Sequence, residues 1–154
     1  MRFMLKALLV AVVINVVVGI PAASAKALPQ GNCGSLDKQS LAQHEPKDWD
    51  SLYHLFRKFS ACDGGAIGEQ FSEDVAQLFS KQWGHLDKLS RLAAADKTFE
   101  QFVLRHIDTT LDESELLVMV DNSKLHCRAG DRRICGLVHA KAQESLDTLR
   151  NVSE

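Results

Sequence analysis

Four cysteines, Cys33, Cys62, Cys127 and Cys135, stand behind a stretch with the make-up of an export signal. Together they constrain this chain more than any other feature. Arg2 and Lys6 give a short positive start, Ala7 to Ile20 an apolar run, and Ala23-Ser24-Ala25 the small-x-small pattern that a signal peptidase cuts. The run holds about 14 residues with Asn15 inside it, short of the roughly 20 that a spanning helix requires. Residues 1–25 are therefore predicted to be a cleaved signal peptide rather than a retained anchor, with no stable membrane insertion afterwards. Gln30-Gly31-Asn32 before Cys33 is not a lipid-attachment context. The expected location is periplasmic or secreted.

The whole chain has 154 residues, with 18 Lys and Arg against 20 Asp and Glu. Loss of Arg2 and Lys6 with the signal takes its net charge from −2 to −4. An acidic chain is a poor nucleic-acid binder, because that affinity comes from basic residues neutralising phosphates. General attraction to anionic lipid is disfavoured for the same reason. The remaining length suits one domain that can bury a core of its own.

In an exported chain four cysteines are expected to form two disulfides, and four allow three connectivities. Spacing favours Cys33 with Cys62 and Cys127 with Cys135. The second pair brackets a short polar loop, while the first lies at opposite ends of a segment that reads as a helical hairpin. By loop entropy these closures contribute roughly 2.5 kcal/mol for the short loop and 3.5 kcal/mol for the long one. No Cys-x-x-Cys is present, so a thioredoxin-like thiol mechanism has no support. Zinc held by Cys127, Cys135, His126 and His139 is the alternative, disfavoured where thiols oxidise. No metal and no cofactor are expected.

Residues 26–34 are rich in breakers and read as an extended arm pinned by Cys33; a short helix is predicted from Ser35 to about Gln43. Pro46 suits the first turn of the next helix. There Trp49, Leu52, Tyr53, Phe56 and Phe59 fall at i, i+3, i+4, i+7 and i+10, the strongest core signal in the chain. Cys62-Asp63-Gly64-Gly65 must end that helix. Phe71, Val75, Leu78 and Phe79 mark another face running to Trp83, before Gly84 permits a break. Leu86, Leu89, Leu92 and Ala93 mark a further short helix. Thr98 with Gln101 has capping-box spacing, ahead of Phe99, Phe102, Val103, His106 and Ile107. Thr110 or Asp112 can cap the segment containing Leu116, Leu117, Val118 and Val120, which reads as helix because its apolar residues do not alternate. Ile134, Leu137, Val138, Ala142, Ser145, Leu146 and Leu149 complete a terminal amphipathic helix. The predicted fold is all-α: a compact bundle of about five to seven short helices braced by two disulfides, one domain over residues 35–154.

Catalytic signatures are sparse. There is no His-Glu-x-x-His, no Gly-x-Ser-x-Gly and no phosphate-cradling glycine loop. Of six histidines only His106 lands on an apolar face, where it reads as a core-edge histidine or as a catalytic base oriented by a carboxylate. Asp108, two residues on, is not its natural helical partner. The acids around Glu69 and Glu113 read as solvated faces and caps. Two loops carry the candidate binding residues: Asp63, Gly64 and Gly65 beside one expected disulfide, and Arg128, Asp131, Arg132 and Arg133 inside the other. Rigid exposed loops lower the ordering cost of binding.

Tyr53, Phe56, Phe59, Cys62-Asp63-x-Gly65-Ala66-Ile67, Val75, Trp83, Phe99-x-x-Phe102-Val103 and His106-Ile107-Asp108 together resemble a family of short exported Gram-negative proteins. The resemblance implies a periplasmic setting and carries no active site. The leading expectation is a non-enzymatic protein that works by contact with another protein. It would be an immunity or inhibitor protein against an antibacterial toxin or hydrolase of the envelope, whose basic surface an acidic chain would meet faster. The alternatives are a small envelope hydrolase using His106, and a helical module that holds an apolar ligand between its aromatic helices.

Overall fold

The computed structural model describes Cys33 and residues 45–152. The signal segment, the rest of the arm and the helix expected over Ser35–Gln43 lie outside the described residues. Within them the chain is all-α: α1 (Trp49–Phe59), α2 (Gly65–Lys81), α3 (Leu86–Ala95), α4 (Lys97–Arg105), α5 (Glu113–Leu125) and α6 (Arg132–Val152). Single 3-10 turns at Ser60–Cys62, Trp83–His85 and Ala129–Asp131 link some of these helices. Both favoured disulfides are present, Cys33–Cys62 and Cys127–Cys135.

Side chains set the helix starts. The Asp48 carboxylate accepts from Ser51 N at 2.8 Å, and Ser51 Oγ accepts from Asp48 N at 3.1 Å, a reciprocal cap that starts α1 at Trp49. Pro46 thus precedes the cap instead of occupying the first turn. The box expected at Thr98 and Gln101 is also corrected. Asp96 caps α4, its Oδ1 accepting from Thr98 N at 3.0 Å and Phe99 N at 3.2 Å, because an acid two positions earlier reaches those free amides first. Asp96 Oδ2 also accepts from the Tyr53 hydroxyl at 3.1 Å, fastening α1 to α4. Asp112 caps α5, with its own N–H donating to Glu115 Oε2 at 3.1 Å.

The predicted apolar faces meet in one core. Trp49, Leu52 and Phe56 of α1, Phe71, Val75 and Phe79 of α2, Leu89 of α3 and Phe99, Phe102 and Val103 of α4 are all buried. Leu116, Met119 and Val120 of α5 and Ile134, Val138, Ala142 and Leu146 of α6 continue the same core. Aromatic rings join α1, α2 and α4. Phe102 lies 5.0 Å from Phe56, 5.0 Å from Phe71 and 6.2 Å from Phe99, centroid to centroid. The rings that an apolar ligand would need are packed on one another. Helix α5 packs lengthwise on α6, and the Cys127–Cys135 bridge closes the loop between them.

Candidate functional site

The turn after α1 is built to be held. Gly65 opens α2 with φ of +54°, a conformation that a side chain would strain, and this lets the backbone reverse directly after Cys62 and Asp63. A Cβ on Gly68 would stand 3.1 Å from Asp63 Oδ1, so the bare glycine lets that carboxylate fold back against α2. Asp63 then meets the end of α4. Its Oδ2 lies 3.1 Å from His106 Nε2 and is also paired with the Arg105 guanidinium. Burial pushes the Asp63 carboxyl up, but the hydrogen bond and charge of His106, followed by those of Arg105, outweigh it and hold it below the ordinary carboxylate value.

His106 is buried at the C-cap of α4, with its ring 4.5 Å from Phe102 and 5.7 Å from Phe71. Its other nitrogen, Nδ1, lies 3.0 Å from Ser72 Oγ of α2. Ser72 Oγ is in turn 3.3 Å from Asp108 Oδ2 and 3.3 Å from the Gly68 carbonyl. Asp108 Oδ1 accepts from Thr110 N at 2.8 Å, which fixes the loop beyond α4. Four polar side chains, Asp63, Ser72, His106 and Asp108, thereby tie the disulfide-bearing turn, helix α2 and the α4–α5 loop to one point. They line a cleft of about 380 Å³ that Gly65, Gly68, Glu69, Arg105 and Thr110 complete.

Sequence reasoning placed Asp63 and His106 in separate arguments, and the structure brings them together. Asp108 is not paired with His106 directly, in keeping with their spacing; Ser72 stands between them. Ser72 itself was missed. Its signal was available: it falls among Phe71, Val75 and Phe79 on a buried face, where a hydroxyl needs a partner. Gly64 and Gly65 are exposed, and a Cβ on Gly64 would meet nothing within 4 Å.

The second loop divides. Arg128 and Arg132 are exposed. Asp131, expected as a surface contact, is instead buried and accepts from Ser90 Oγ at 2.6 Å, so it anchors the loop to α3. Arg133 pairs with Glu100, and that hydrogen bond is the main reason the Glu100 carboxyl sits below its ordinary value. With Cys127 and Cys135 bonded to each other, the zinc alternative loses two ligands, and no grouping of His, Cys, Asp and Glu among the described residues fits a metal ion.

Fold and site define a class, a disulfide-braced all-α protein with a locked polar cleft beside a bare turn. Comparison with protein-family models, curated proteins and solved structures gives no match. Two disulfides fit an oxidising, non-cytoplasmic setting, and no helix among the described residues is long and apolar enough to cross a membrane.

Proposed function

We propose that this is a periplasmic protein that acts by protein contact, as an immunity or inhibitor protein neutralising an antibacterial enzyme that attacks the cell envelope. One observation carries the reading. The turn Asp63-Gly64-Gly65 is fixed from its inner side by the Cys33–Cys62 bridge, by His106 and by Arg105, while its outer side stays open. A surface already ordered before binding loses little conformational entropy on contact, which is what a tight inhibitor needs. The exposed Glu69 beside it suits a basic partner. Deleting the gene is expected to lower survival against competitor bacteria, and the tagged protein is expected to recover an envelope-degrading enzyme from periplasmic extract. Unchanged survival with no recovered partner contradicts the proposal.

A second reading is hydrolytic, and the Ser72–His106–Asp63 chain of contacts favours it. Ser72 Oγ would attack a carbonyl carbon while His106 Nδ1 takes its proton and passes it to the departing alcohol or amine as that bond breaks, water would then release the acyl group from Ser72, and Asp63 would steady the ring. Two features weigh against it. Ser72 is only 2% exposed, and its Oγ is already engaged by Gly68 and Asp108. On the contact reading, His106→Gln lowers unfolding stability by about 2 kcal/mol, because Asp63 and Ser72 lose a buried partner. Chemical denaturation checks this. A variant of unchanged stability that has lost a measurable hydrolase activity supports the hydrolytic reading instead.

A further inference from the structure

A mainly apolar groove of about 450 Å³ runs beside α1 and shares no lining residue with the cleft at Asp63. Among the described residues Leu55 and Phe59 form its floor, while Lys47, His54 and Lys58 stand exposed on its rim. Helical spacing brings them together: Leu55 and Phe59 are one turn apart, and so are His54 and Lys58. The groove lies outside the aromatic core. Trp49, Tyr53 and Phe56 of the same helix each pack against a ring of another helix. Phe59 meets no other ring among the described residues, and the Lys58 ammonium lies 4.7 Å from its centroid.

Charge selects the occupant. Cations around α1 are paired with acids: Arg57 with Asp96, Lys81 with Glu45 and Lys88 with Asp50. Lys47 and Lys58 have no carboxylate partner among the described residues, and both border the groove. The acids beside them are engaged, Asp48 in the cap of α1 with Ser51 and Glu45 with Lys81. We infer that this groove binds a fatty acid, its acyl chain on Leu55 and Phe59 and its carboxylate beside Lys58 and His54. The chain takes apolar surface out of water, and the carboxylate gives Lys58 the charge-assisted partner that the fold does not supply. Lys47, where α1 begins, adds to the positive field along the groove. A cationic amphiphile of the same length meets two unpaired like charges, so the site discriminates by head group. The volume is within the range of small-ligand sites. Because the groove and the Asp63 turn are separate, this site stands or falls independently of the contact proposed above.

Isothermal titration calorimetry on the mature disulfide-bonded protein, stripped of co-purifying lipid, tests this with dodecanoate and dodecyltrimethylammonium, both below their micelle concentrations. Dodecanoate is expected to bind once per chain with a dissociation constant of about 1–100 µM, and the cationic probe at least about tenfold more weakly. Lys58→Glu should weaken dodecanoate binding about five- to tenfold. The double variant Lys47→Glu with Lys58→Glu should reverse the preference between the two probes. Both positions are exposed, so the helical spectrum and thermal midpoint should be preserved. A wild-type chain that binds no dodecanoate overturns the inference, even if residues 34–44 of the chain itself are then found in the groove. Equal binding of the two probes overturns it as well, and so does a Lys58→Glu variant that binds dodecanoate like wild type.

Discussion

Replacing Phe102 with alanine is expected to lower the free energy of unfolding by about 3–5 kcal/mol. This ring is the hub of the aromatic core, meeting Phe56 of α1, Phe71 of α2, Phe99 of its own helix and the His106 imidazole. Truncation removes buried apolar surface and leaves a cavity that four rings from three segments cannot close together, so the cost lies at the high end for core substitutions. His106 would also lose the wall that orients it toward Asp63 and Ser72. Urea unfolding with both disulfides intact measures the effect. Phe59→Ala, at a position only partly buried, should cost less. A Phe102→Ala variant within about 1 kcal/mol of wild type would show that the rings do not form the shared core described here.

Asp74→Asn is expected to act in the opposite direction, and only over part of the pH range. Asp74 is buried on α2, its Oδ1 accepting from Gln70 Nε2 at 3.2 Å and its Oδ2 having no partner. Burial, with smaller contributions from Glu45 and Glu73, pushes its pKa up from 3.8 to about 6. A carboxyl whose folded pKa is raised contributes its full stability below the unfolded value. That contribution is lost as pH rises from 3.8 through about 6, because the native state then has to bury the charge. The gap is worth roughly 3 kcal/mol at most. Asparagine removes the charge and keeps an oxygen for Gln70, so the variant should be more stable than wild type by about 1–3 kcal/mol at pH 8 and nearly equal to it at pH 3.5. Stability curves at the two pH values check this. A variant less stable than wild type at pH 8 would mean that the Asp74 carboxylate is paired and favourable.

The fold was legible because its elements announce themselves locally. The stripe from Trp49 to Phe59 and the face of Phe71, Val75, Leu78 and Phe79 each follow one helical period, and Gly64-Gly65 interrupts them where the chain must reverse. Cysteine spacing favoured the right pairs, since bridges of such short reach are decided by neighbouring elements. Caps were less legible. Asp96 and Thr98 both offer an oxygen to free amides, and position alone chose between them. The cleft was the least legible part. Asp63 and His106 are 43 residues apart, and only the packing of α2 against α4 through Phe71 and Phe102 brings them into contact. Ser72 and Asp74 carried a signal of their own, polar groups on faces that the apolar spacing marks as buried. Ser72 found partners across the fold, while Asp74 did not fully do so. Asp131 reads as loop surface in a run of charged residues, and the Ser90 hydroxyl that buries it comes from a distant helix.

The locked turn as a contact surface is the central claim, and Gly64→Lys tests it most directly. The position is exposed, its φ of 174° is open to any residue, and a Cβ there meets nothing, so the fold tolerates the change. Wild-type and Gly64→Lys proteins of equal thermal midpoint would each be immobilised and exposed to the same periplasmic extract. Wild type is expected to retain an envelope-degrading enzyme that the variant loses or binds at least about tenfold more weakly, since a long cation would stand in the interface and face a basic partner. Equal retention of that enzyme by both proteins would contradict the placement of the contact at this turn.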